Sequence, residues 1–498
     1  MSASILNKFD SNFLFRRVDA SSLGFIRIIT GLFLFISFSK FHLYFSGHLI
    51  HSEYFFKYDG FDWVGMMPEY LLQPFFMLMY LSTALFVLGI HFRLNAWLLF
   101  LGYSYCFLVD KGHYNNHYYL QCILLFFFAI SDADRWGSIR SHALKDSSIP
   151  YWQLFLFKIQ LFIVYFYGGL AKIQSDWLSG YPMRYWLFDE SEQVFAPLSY
   201  FFQTSFAAYF MSWSGLAFDL LIGFMLLSRR WRRIAWLPLL FFHISNHFLW
   251  TIGIFPWLML CLTSIFYAPD WASKAWSEII ASPKNFFIKL LGYLWPKKLW
   301  HWLSPWAKST TFDVSGQSPT NRGVLAFLII WIGFQVFFPL RHLIYKGDPS
   351  WTGEGHLFAW RMMLVEDVGA FKMTVEIPSS GEKFPISFES YMNFLQFSRI
   401  SRTPKSILKF AHFIRDELAE KGGVKNPIIR IEVWKSVNER SPKLLNNTSL
   451  NYALVPYSAI RKAYWINDWS PLNEKPEFSL ERFRHWKSFE QKQDSLGM

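Results

Sequence analysis

The 498-residue sequence is poor in charged residues and in cysteine. Only 17% of its residues are charged, whereas 53% are hydrophobic and 21% are aromatic. A soluble protein of this size rarely has such a composition, so an ordinary soluble enzyme is excluded. The three cysteines, Cys106, Cys122 and Cys261, lie in apolar runs. They are predicted to be core thiols rather than a disulfide framework.

Familiar catalytic and metal-binding motifs are missing as well. The sequence has no phosphate-binding loop, no G-x-S-x-G motif and no cysteine spacing of the zinc type. Two HxxxH pairs occur, His113 with His117 and His243 with His247. A membrane di-iron oxygenase needs several more histidines in two or three clusters, and this chain has neither an adjacent histidine pair nor a third HxxxH. No metal site is therefore predicted.

Long apolar runs are what the sequence has in abundance. Several are long enough to cross a bilayer, which needs roughly 20 residues. The third, fourth, seventh and eighth runs are short, so eight or nine transmembrane helices are predicted. No cleavable signal peptide is predicted, because the first run lacks a small-residue cleavage site. The nine segments are residues 23–43, 72–91, 94–109, 117–131, 151–172, 206–228, 234–249, 251–267 and 322–343.

The basic residues predict which helix ends face the cytoplasm. The net charge is +12, and it is attributed to cytoplasmic loops rather than to nucleic-acid binding. Residues 228–233 hold four arginines, and further basic residues occur after the fourth segment and in a link at about 268–321. The positive-inside rule makes these loops and the N-terminus cytoplasmic. Residues 110–117, residues 172–205 and everything after the last segment then lie on the opposite side.

The C-terminal part of the chain has a different pattern. Alternation at residues 371–377 and 429–434 predicts strands, and the apolar spacing in residues 404–420 predicts an amphipathic helix. The predicted fold is therefore a polytopic α-helical membrane protein with a small C-terminal α+β domain outside the membrane. The transmembrane helical domain is assigned to residues 1–345, and the extracytoplasmic domain to residues 346–498.

The stretch from Phe162 to Trp177 contains an apolar run that ends at a single lysine, Lys172. A lysine at the end of a membrane helix usually extends to the interface and has no further role. Here Gly168 and Gly169 precede it, and small residues let another helix or a ligand approach closely. Lys172 is therefore predicted to face a pocket at the outer side of the bundle and to act there as a base.

Two other stretches place polar residues near the same predicted side. Asn115, Asn116 and His117 lie where a loop enters the fourth segment. They are interpreted either as an ordinary helix cap or as hydrogen-bonding groups directed into the pocket of Lys172. His243 and Asn246 in the seventh segment are spaced to share one helix face. Histidines within membranes are uncommon and tend to face cavities.

Two features have competing interpretations. Asp219 lies inside the sixth segment and needs a partner there, whether its role is structural or functional. The stretch from Trp351 to Met363, WTGEGHLFAWRMM, follows the last segment. Such an aromatic and methionine cluster usually serves packing, but it is also suited to hold a peptide or a hydrophobic ligand.

Taken together, these stretches resemble the vitamin K-dependent γ-glutamyl carboxylases and their bacterial relatives, the horizontally transferred transmembrane domain proteins. The resemblance extends from about residue 20 to residue 455. It is carried by NNH at 115–117, IVYFYGGLAKIQSDW ending at Trp177, FHISNHFLWTIGIFPW at 242–257 and FAWRMM at 358–363. The chain departs from the animal members at Leu364–Asp367, where they have a histidine and an arginine. Its extramembrane domain is also much shorter.

The resemblance implies roles for particular residues. Lys172 corresponds to the base that deprotonates vitamin K hydroquinone, and His117 to a histidine needed for carboxylation. Apolar burial keeps an amine uncharged and able to act as a base. The residues predicted to bind substrate, from the patterns and the resemblance together, are Asn115, Asn116, His243, Asn246, Trp360, Met362 and Met363.

The implied activity is that of a carbon–carbon lyase in the membrane, which couples epoxidation of reduced vitamin K to carboxylation of glutamate in proteins. Its substrates would be phylloquinol or menaquinol from the lipid, O2, CO2 and a glutamate-containing protein. The γ-proton of glutamate is too weakly acidic for any side-chain base, so the oxygenated quinol must supply a stronger one in a water-poor pocket. Two alternatives stay open: a quinol epoxidase or related oxidoreductase without carboxylation, and a non-enzymatic quinone-binding membrane protein.

Overall fold

The described residues are mostly helical, and a region containing a four-stranded sheet follows the apolar helices. The computed structural model describes residues 12–143, 146–250, 252–281, 318–345, 347–400 and 403–469. Residues 282–317 of the predicted cytoplasmic link and residues 470–498 of the predicted extracytoplasmic domain lie outside the described residues. The division of the chain at residue 345 stays a prediction.

Each of the nine predicted apolar segments contains a helix. Several helix starts carry the expected cap, since Asn115, Thr204 and Asn321 each accept a backbone N–H of the first turn. The helices are α1 (Ser21–Gly47), α2 (Glu69–Leu88), α3 (Phe92–Leu108), α4 (Asn116–Ala129), α5 (Tyr151–Ala171), α6 (Ser205–Leu227), α7 (Arg232–Leu249), α8 (Phe255–Thr263) and α9 (Arg322–Phe337).

Short helical segments connect these elements. Tight 3-10 turns continue α1, α8 and α9 at Leu49–His51, Ser264–Phe266 and Phe338–Ile344. Others lie at Lys111–His113, Ala133–Arg135 and Arg140–Ala143. The short α-helices are Asn12–Phe15, Ser175–Leu178, Met183–Glu190, Ala196–Phe202, Trp271–Ala281, Pro349–Thr352 and Phe394–Ile400.

Helix length and composition identify the membrane-spanning elements. Within the described ranges, five helices are long and apolar enough to cross a membrane: α1, α2, α5, α6 and α9 with its continuation to Ile344. The helices α3, α4 and α8 have 17, 14 and 9 residues. The helix α7 carries two arginines, two histidines and an asparagine. The chain is an integral membrane protein, and the total of eight or nine spans stays a prediction.

Close contact between α5 and α6 positions the residues at their ends. A Cβ atom built on Gly169 would lie 2.7 Å from the backbone N of Leu220, so a side chain is not accommodated there. Gly223 leaves similar room for the ring of Phe162. The two helices therefore approach backbone to backbone, and the end of α5 comes to lie beside the middle of α6.

The C-terminal region is built on an antiparallel sheet. Strands β3 (Asp367–Glu376) and β5 (Ile428–Val437) pair along their whole length, with β4 (Lys383–Pro385) and β6 (Lys443–Leu444) at the edges. The helix α10 (Pro404–Gly422) packs its apolar residues into the same core. Both predicted strands and the predicted helix are confirmed, each slightly longer than expected. Elsewhere, β1 (Arg17–Asp19) pairs with β2 (Ser148–Pro150).

Buried polar contacts fix this region on the bundle. The Asp176 carboxylate, just after α5, accepts hydrogen bonds from both terminal nitrogens of Arg440 at 2.7 Å and from Asn438 at 2.7 Å. The Asp110 carboxylate accepts from the side-chain amide of Gln396 at 2.8 Å. Burial raises the pKa of Asp110 to about 6, although its hydrogen bonds act in the opposite direction.

Candidate active site

A cavity of about 950 Å³ lies where the bundle meets the C-terminal region. Its volume is at the upper end of the range of roughly 300–1,000 Å³ that is typical of small-molecule sites. One part of its wall is apolar and comes from α6, α7 and α8, including Phe218, Phe242 and Met259. Another part comes from the C-terminal region and includes Thr403 and Tyr457.

Lys172 lies in the wall of this cavity and is buried. It is the residue immediately after α5, with only 6% of its surface exposed. Its Nζ donates to Oδ2 of Asp219 at 2.6 Å and to the carbonyl oxygen of Gly168 at 3.2 Å. Asp219 is also buried, with 5% exposure. The acid in the sixth segment thus has its partner, and the lysine does not extend to an interface.

The surroundings of this pair are aromatic and sulfur-containing. The Lys172 Nζ lies 5.1 Å from the ring centre of Trp177, a cation–π distance. The indole of Trp177 donates to the carbonyl oxygen of Ser212 at 2.8 Å, which holds it on α6. A Cβ built on Gly168 would lie 3.4 Å from Asp219 Oδ2 and 3.5 Å from Met362 Cε. Met362 therefore reaches the immediate neighbourhood of the ion pair.

The Asn115–His117 motif reaches the same cavity. Asn115 caps α4, since its side chain accepts the His117 N–H at 2.9 Å. The side chain of Asn116 accepts from the Tyr114 hydroxyl at 2.9 Å and donates to the carbonyl oxygen of Arg361 at 3.4 Å. The His117 ring stacks on Phe255 at a centroid distance of 3.6 Å. The motif thus serves as a cap and also contributes to the cavity wall.

His243 and Asn246 also line the cavity, as their shared helix face predicts. A ring nitrogen of His243 is 2.8 Å from the hydroxyl of Tyr165, which joins α7 to α5. The neighbouring His247 is directed elsewhere and packs against Trp257. Among the described residues, no group of three or more His, Cys, Asp or Glu side chains is arranged to hold a metal ion.

The methionine motif after α9 divides between cavity and core. Met362 and Met363 line the cavity. Trp360 does not: it has 1% exposure and stacks on Tyr119 with ring centres 4.9 Å apart. The structure therefore brings together every predicted site residue except Trp360, whose proposed substrate contact would require a change in this packing.

Comparison with known families agrees with the architecture. The HTTM domain model matches residues 15–271, just over half of the chain. The model of the vitamin K-dependent gamma-carboxylase lumenal domain matches residues 320–471. The chain belongs to the vitamin K-dependent gamma-carboxylase family. No solved structure matches this family member.

In this gamma-carboxylase family member, one part of the cavity is rich in cations. These cations come from residues 320–471, which match the lumenal-domain model. Arg341, Arg361 and Lys435 line this part of the cavity, together with the imidazole of His356. Burial, together with the nearby charges of Arg361, Lys435 and Arg341, lowers the pKa of His356 to about 4, although Asp367 acts in the opposite direction. The cavity thus has an apolar end beside the Lys172–Asp219 pair and a cationic end next to the C-terminal region.

Sequence patterns did not identify these cationic residues in the gamma-carboxylase family member. Arg361 offered one usable signal, because it is a charged residue inside the otherwise apolar FAWRMM motif. Lys435 and Tyr165 gave none, since they occupy ordinary positions in a strand and a helix. Tyr165 and Lys435 reach the cavity because of how α5 and β5 each pack against other elements. The spacing of residues in the sequence does not reveal this packing.

Proposed function

We propose that this integral membrane protein couples epoxidation of a lipid-borne hydroquinone to carboxylation of glutamate side chains. The observation that carries the proposal is the buried Lys172–Asp219 pair in the wall of a cavity that also contains His117 and Met362. Family membership independently supports use of reduced vitamin K and a gamma-carboxylase-like function. O2 and CO2 are the further substrates in this proposal, and a glutamate-containing protein is the acceptor.

The cavity has walls suited to a naphthoquinol with an isoprenoid tail. Phe218 and Phe242 stack with ring centres 3.9 Å apart and present aromatic surface beside Pro238 and Met259. Apolar and aromatic walls with a few polar groups are typical of small-molecule sites. We assign the ring to this end, with His243 and Asn246 as hydrogen-bonding groups for its oxygens. Once oxygenated there, reduced vitamin K supplies the strong base that no side chain provides.

Proton transfer is assigned to Lys172 and Asp219. Lys172 Nζ and the Asp219 carboxylate are 2.6 Å apart in a buried, apolar setting, and we assign the amine as the base and the carboxylate as the group that exchanges its proton. The amine then accepts a proton from a hydroxyl group presented to it in the cavity. The Gly168 carbonyl and the Trp177 ring hold Nζ in position throughout.

His117 is assigned to the carboxylation step. Its ring makes no hydrogen bond with a described residue and is held by stacking on Phe255. Its two nitrogens therefore remain available to the cavity. Trp177, Leu216 and Met183 pack together next to Lys172 and limit the access of water there, which would otherwise quench a strong base.

The proposed orientation follows from charge and from the family match. The N-terminus and the arginine-rich turn between α6 and α7 would lie in the cytoplasm. The cavity and the C-terminal domain would then lie at the periplasmic or lumenal side. The quinol enters from membrane lipid, and the protein substrate comes from the aqueous side.

The first test measures epoxide formation from reduced vitamin K and oxygen by purified protein. Lys172→Met should abolish it, because the amine that accepts the proton is lost. Lys158→Met is the matched control, since Lys158 lies in α5, which Lys172 directly follows, and has the same 6% exposure but does not line the cavity. Unchanged turnover in Lys172→Met would refute the base assignment.

The same assay separates the proposal from its alternatives when labelled CO2 and a short glutamyl peptide are added. Quinol-dependent incorporation of label supports coupled carboxylation. Epoxide without incorporation identifies an uncoupled quinol epoxidase, an alternative favoured by the sequence departure at Leu364–Asp367. Binding of quinone with neither product identifies a non-enzymatic quinone-binding protein.

A further inference from the structure

Arg361 is a buried cation without a partner of opposite charge. Only 8% of its surface is exposed, and its Nε atom has no hydrogen-bond partner. No described carboxylate forms an ion pair with it, and Arg361 is one of the residues that line the cavity. Burial lowers the pKa of Arg361, and the more distant Asp348 opposes this shift. The Asp348 carboxylate is engaged by the backbone N–H of Ser350 at 2.7 Å.

The neighbouring cations are already engaged in protein contacts. Lys435 donates to the carbonyl oxygen of Ser350 at 2.7 Å and pairs with Asp367 at 3.1 Å. Arg341 donates to the carbonyl oxygens of Phe338 and Leu357. These contacts explain the positions of Lys435 and Arg341 without any ligand. They do not explain Arg361, whose burial without compensation costs several kcal/mol in typical cases.

The backbone around Arg361 is held in an unusual conformation. Phe358, Trp360 and Met363 have φ values of 56°, 55° and 48°, in the left-handed region that residues other than glycine seldom adopt. The Tyr114 hydroxyl accepts the Phe358 N–H at 2.6 Å, and Asn116 donates to the carbonyl oxygen of Arg361. Local strain of this kind persists where the surroundings hold a functional side chain in position.

The acidic residues after the two methionines, Glu366 and Asp367, are already paired within the protein. Glu366 accepts the indole N–H of Trp186 at 2.6 Å, and Asp367 pairs with Lys435. The stretch at Leu364–Asp367 therefore adds negative charge to the protein and no group that could bind an anionic substrate. A positive group that receives an anionic substrate must come from another part of the cavity wall.

We propose that Arg361 binds a carboxylate of an acidic peptide, the glutamyl side chain that the proposed function requires. A guanidinium holds a carboxylate through two parallel hydrogen bonds. Met362 follows Arg361 in the chain and contacts the Lys172–Asp219 neighbourhood. A carboxylate on Arg361 is thus bound at the boundary between the cationic and the apolar ends. This inference rests on the proposed function for the identity of its ligand.

The test measures binding of a blocked peptide with one glutamate to the full-length protein in nanodiscs, by calorimetry. Arg361→Gln should weaken binding at least about tenfold, the loss expected for a charge-assisted hydrogen bond. Arg361→Lys should recover part of the affinity, since it keeps the charge without the planar geometry. The glutamine counterpart of the peptide should bind weakly to every variant. Lys372→Gln, which removes an exposed cation of β3, should leave the affinity unchanged.

Thermal unfolding of the same variants separates binding from folding. A structural arginine would lower the unfolding temperature when replaced, whereas removal of an uncompensated buried cation should leave it equal or higher. Equal affinity of wild type and Arg361→Gln for the glutamyl peptide would overturn the inference, as would equal wild-type affinity for the glutamine peptide.

The outcome is independent of the test of the proposed function. Arg361-dependent peptide binding without epoxide or labelled product would uphold this inference and refute the proposed function. Incorporation of label together with undiminished peptide binding in Arg361→Gln would uphold the proposed function and refute this inference.

Discussion

At the scale of single residues, the site depends on a buried amine that has an acidic partner. The sequence predicted a lysine in an apolar pocket and, separately, an acid that needed a partner. The structure joins these two expectations, because Lys172 and Asp219 are 2.6 Å apart. This link was not predictable from spacing, since 47 residues separate the two groups in the chain.

Asp219 should matter for catalysis and not only for packing. In Asp219→Asn an amide replaces the carboxylate, so the proton that Lys172 takes up has no acidic neighbour to receive it or to compensate its charge. We expect epoxide formation to fall about 100-fold, within the range for lost acid–base catalysis. The measurement is the initial rate of epoxidation at saturating quinol.

Asp134→Asn provides the control for that variant. Asp134 has the same 5% exposure as Asp219 but pairs with Arg140, and it does not line the cavity. A rate in Asp219→Asn equal to that of this control would show that Lys172 acts without its acidic neighbour.

The other predicted residues show where sequence reasoning succeeds and where it stops. Residue type and local spacing located His117, His243 and Asn246, because polar groups inside apolar helices have few reasons to be there. Trp360 shares a motif with Met362 but packs in the core instead. Positive φ angles within this motif turn adjacent side chains in different directions, and a sequence pattern does not reveal such angles.

At the scale of secondary-structure elements, the pattern of apolar residues predicted each of the described helices α1 to α9. It also predicted β3, β5 and α10, because alternation and helical spacing are strong signals in a charged domain. The number of spans was not settled in the same way. Short helices such as α3 and α4 are apolar enough to be buried among their neighbours, and composition does not distinguish this from spanning a bilayer.

The contact between α5 and α6 is expected to tolerate one glycine substitution and not the next. Gly169→Ala should lower the unfolding temperature, because its Cβ would lie 2.7 Å from Leu220 N, and overpacking costs about 1–3 kcal/mol. Gly168→Ala is the control, since its Cβ would lie 3.4 Å from the nearest atom, at Asp219. Thermal unfolding in detergent measures both. Equal stability of the two variants would contradict the close approach inferred here.

At the scale of the whole molecule, the C-terminal region is fixed on the bundle by a buried ion pair. The side chains of Arg440 and Asp176 are 3% and 8% exposed. Asp176 lies four residues after Lys172, so this contact fixes the C-terminal region close to the site. The helical bundle and the C-terminal region both contribute residues to the cavity wall, so the wall is complete only while the two regions stay in contact.

Breaking this ion pair should destabilise the protein strongly. Arg440→Met leaves a buried carboxylate uncompensated, which typically costs about 3–5 kcal/mol. The double variant Asp176→Leu with Arg440→Met should recover much of the loss, because no buried charge remains. Chemical unfolding and limited proteolysis between α9 and β3 follow the effect. A single variant as stable as the wild type would mean that the pair is not needed for docking.

The two-ended cavity has a consequence for kinetics. A quinone analogue dissolved in the bilayer and a water-soluble acidic peptide would occupy opposite ends, so neither inhibitor should compete with the other's substrate. Turnover would then depend on the mole fraction of quinol in the lipid, and adding empty vesicles or extra detergent would slow the enzyme by surface dilution at constant bulk concentration.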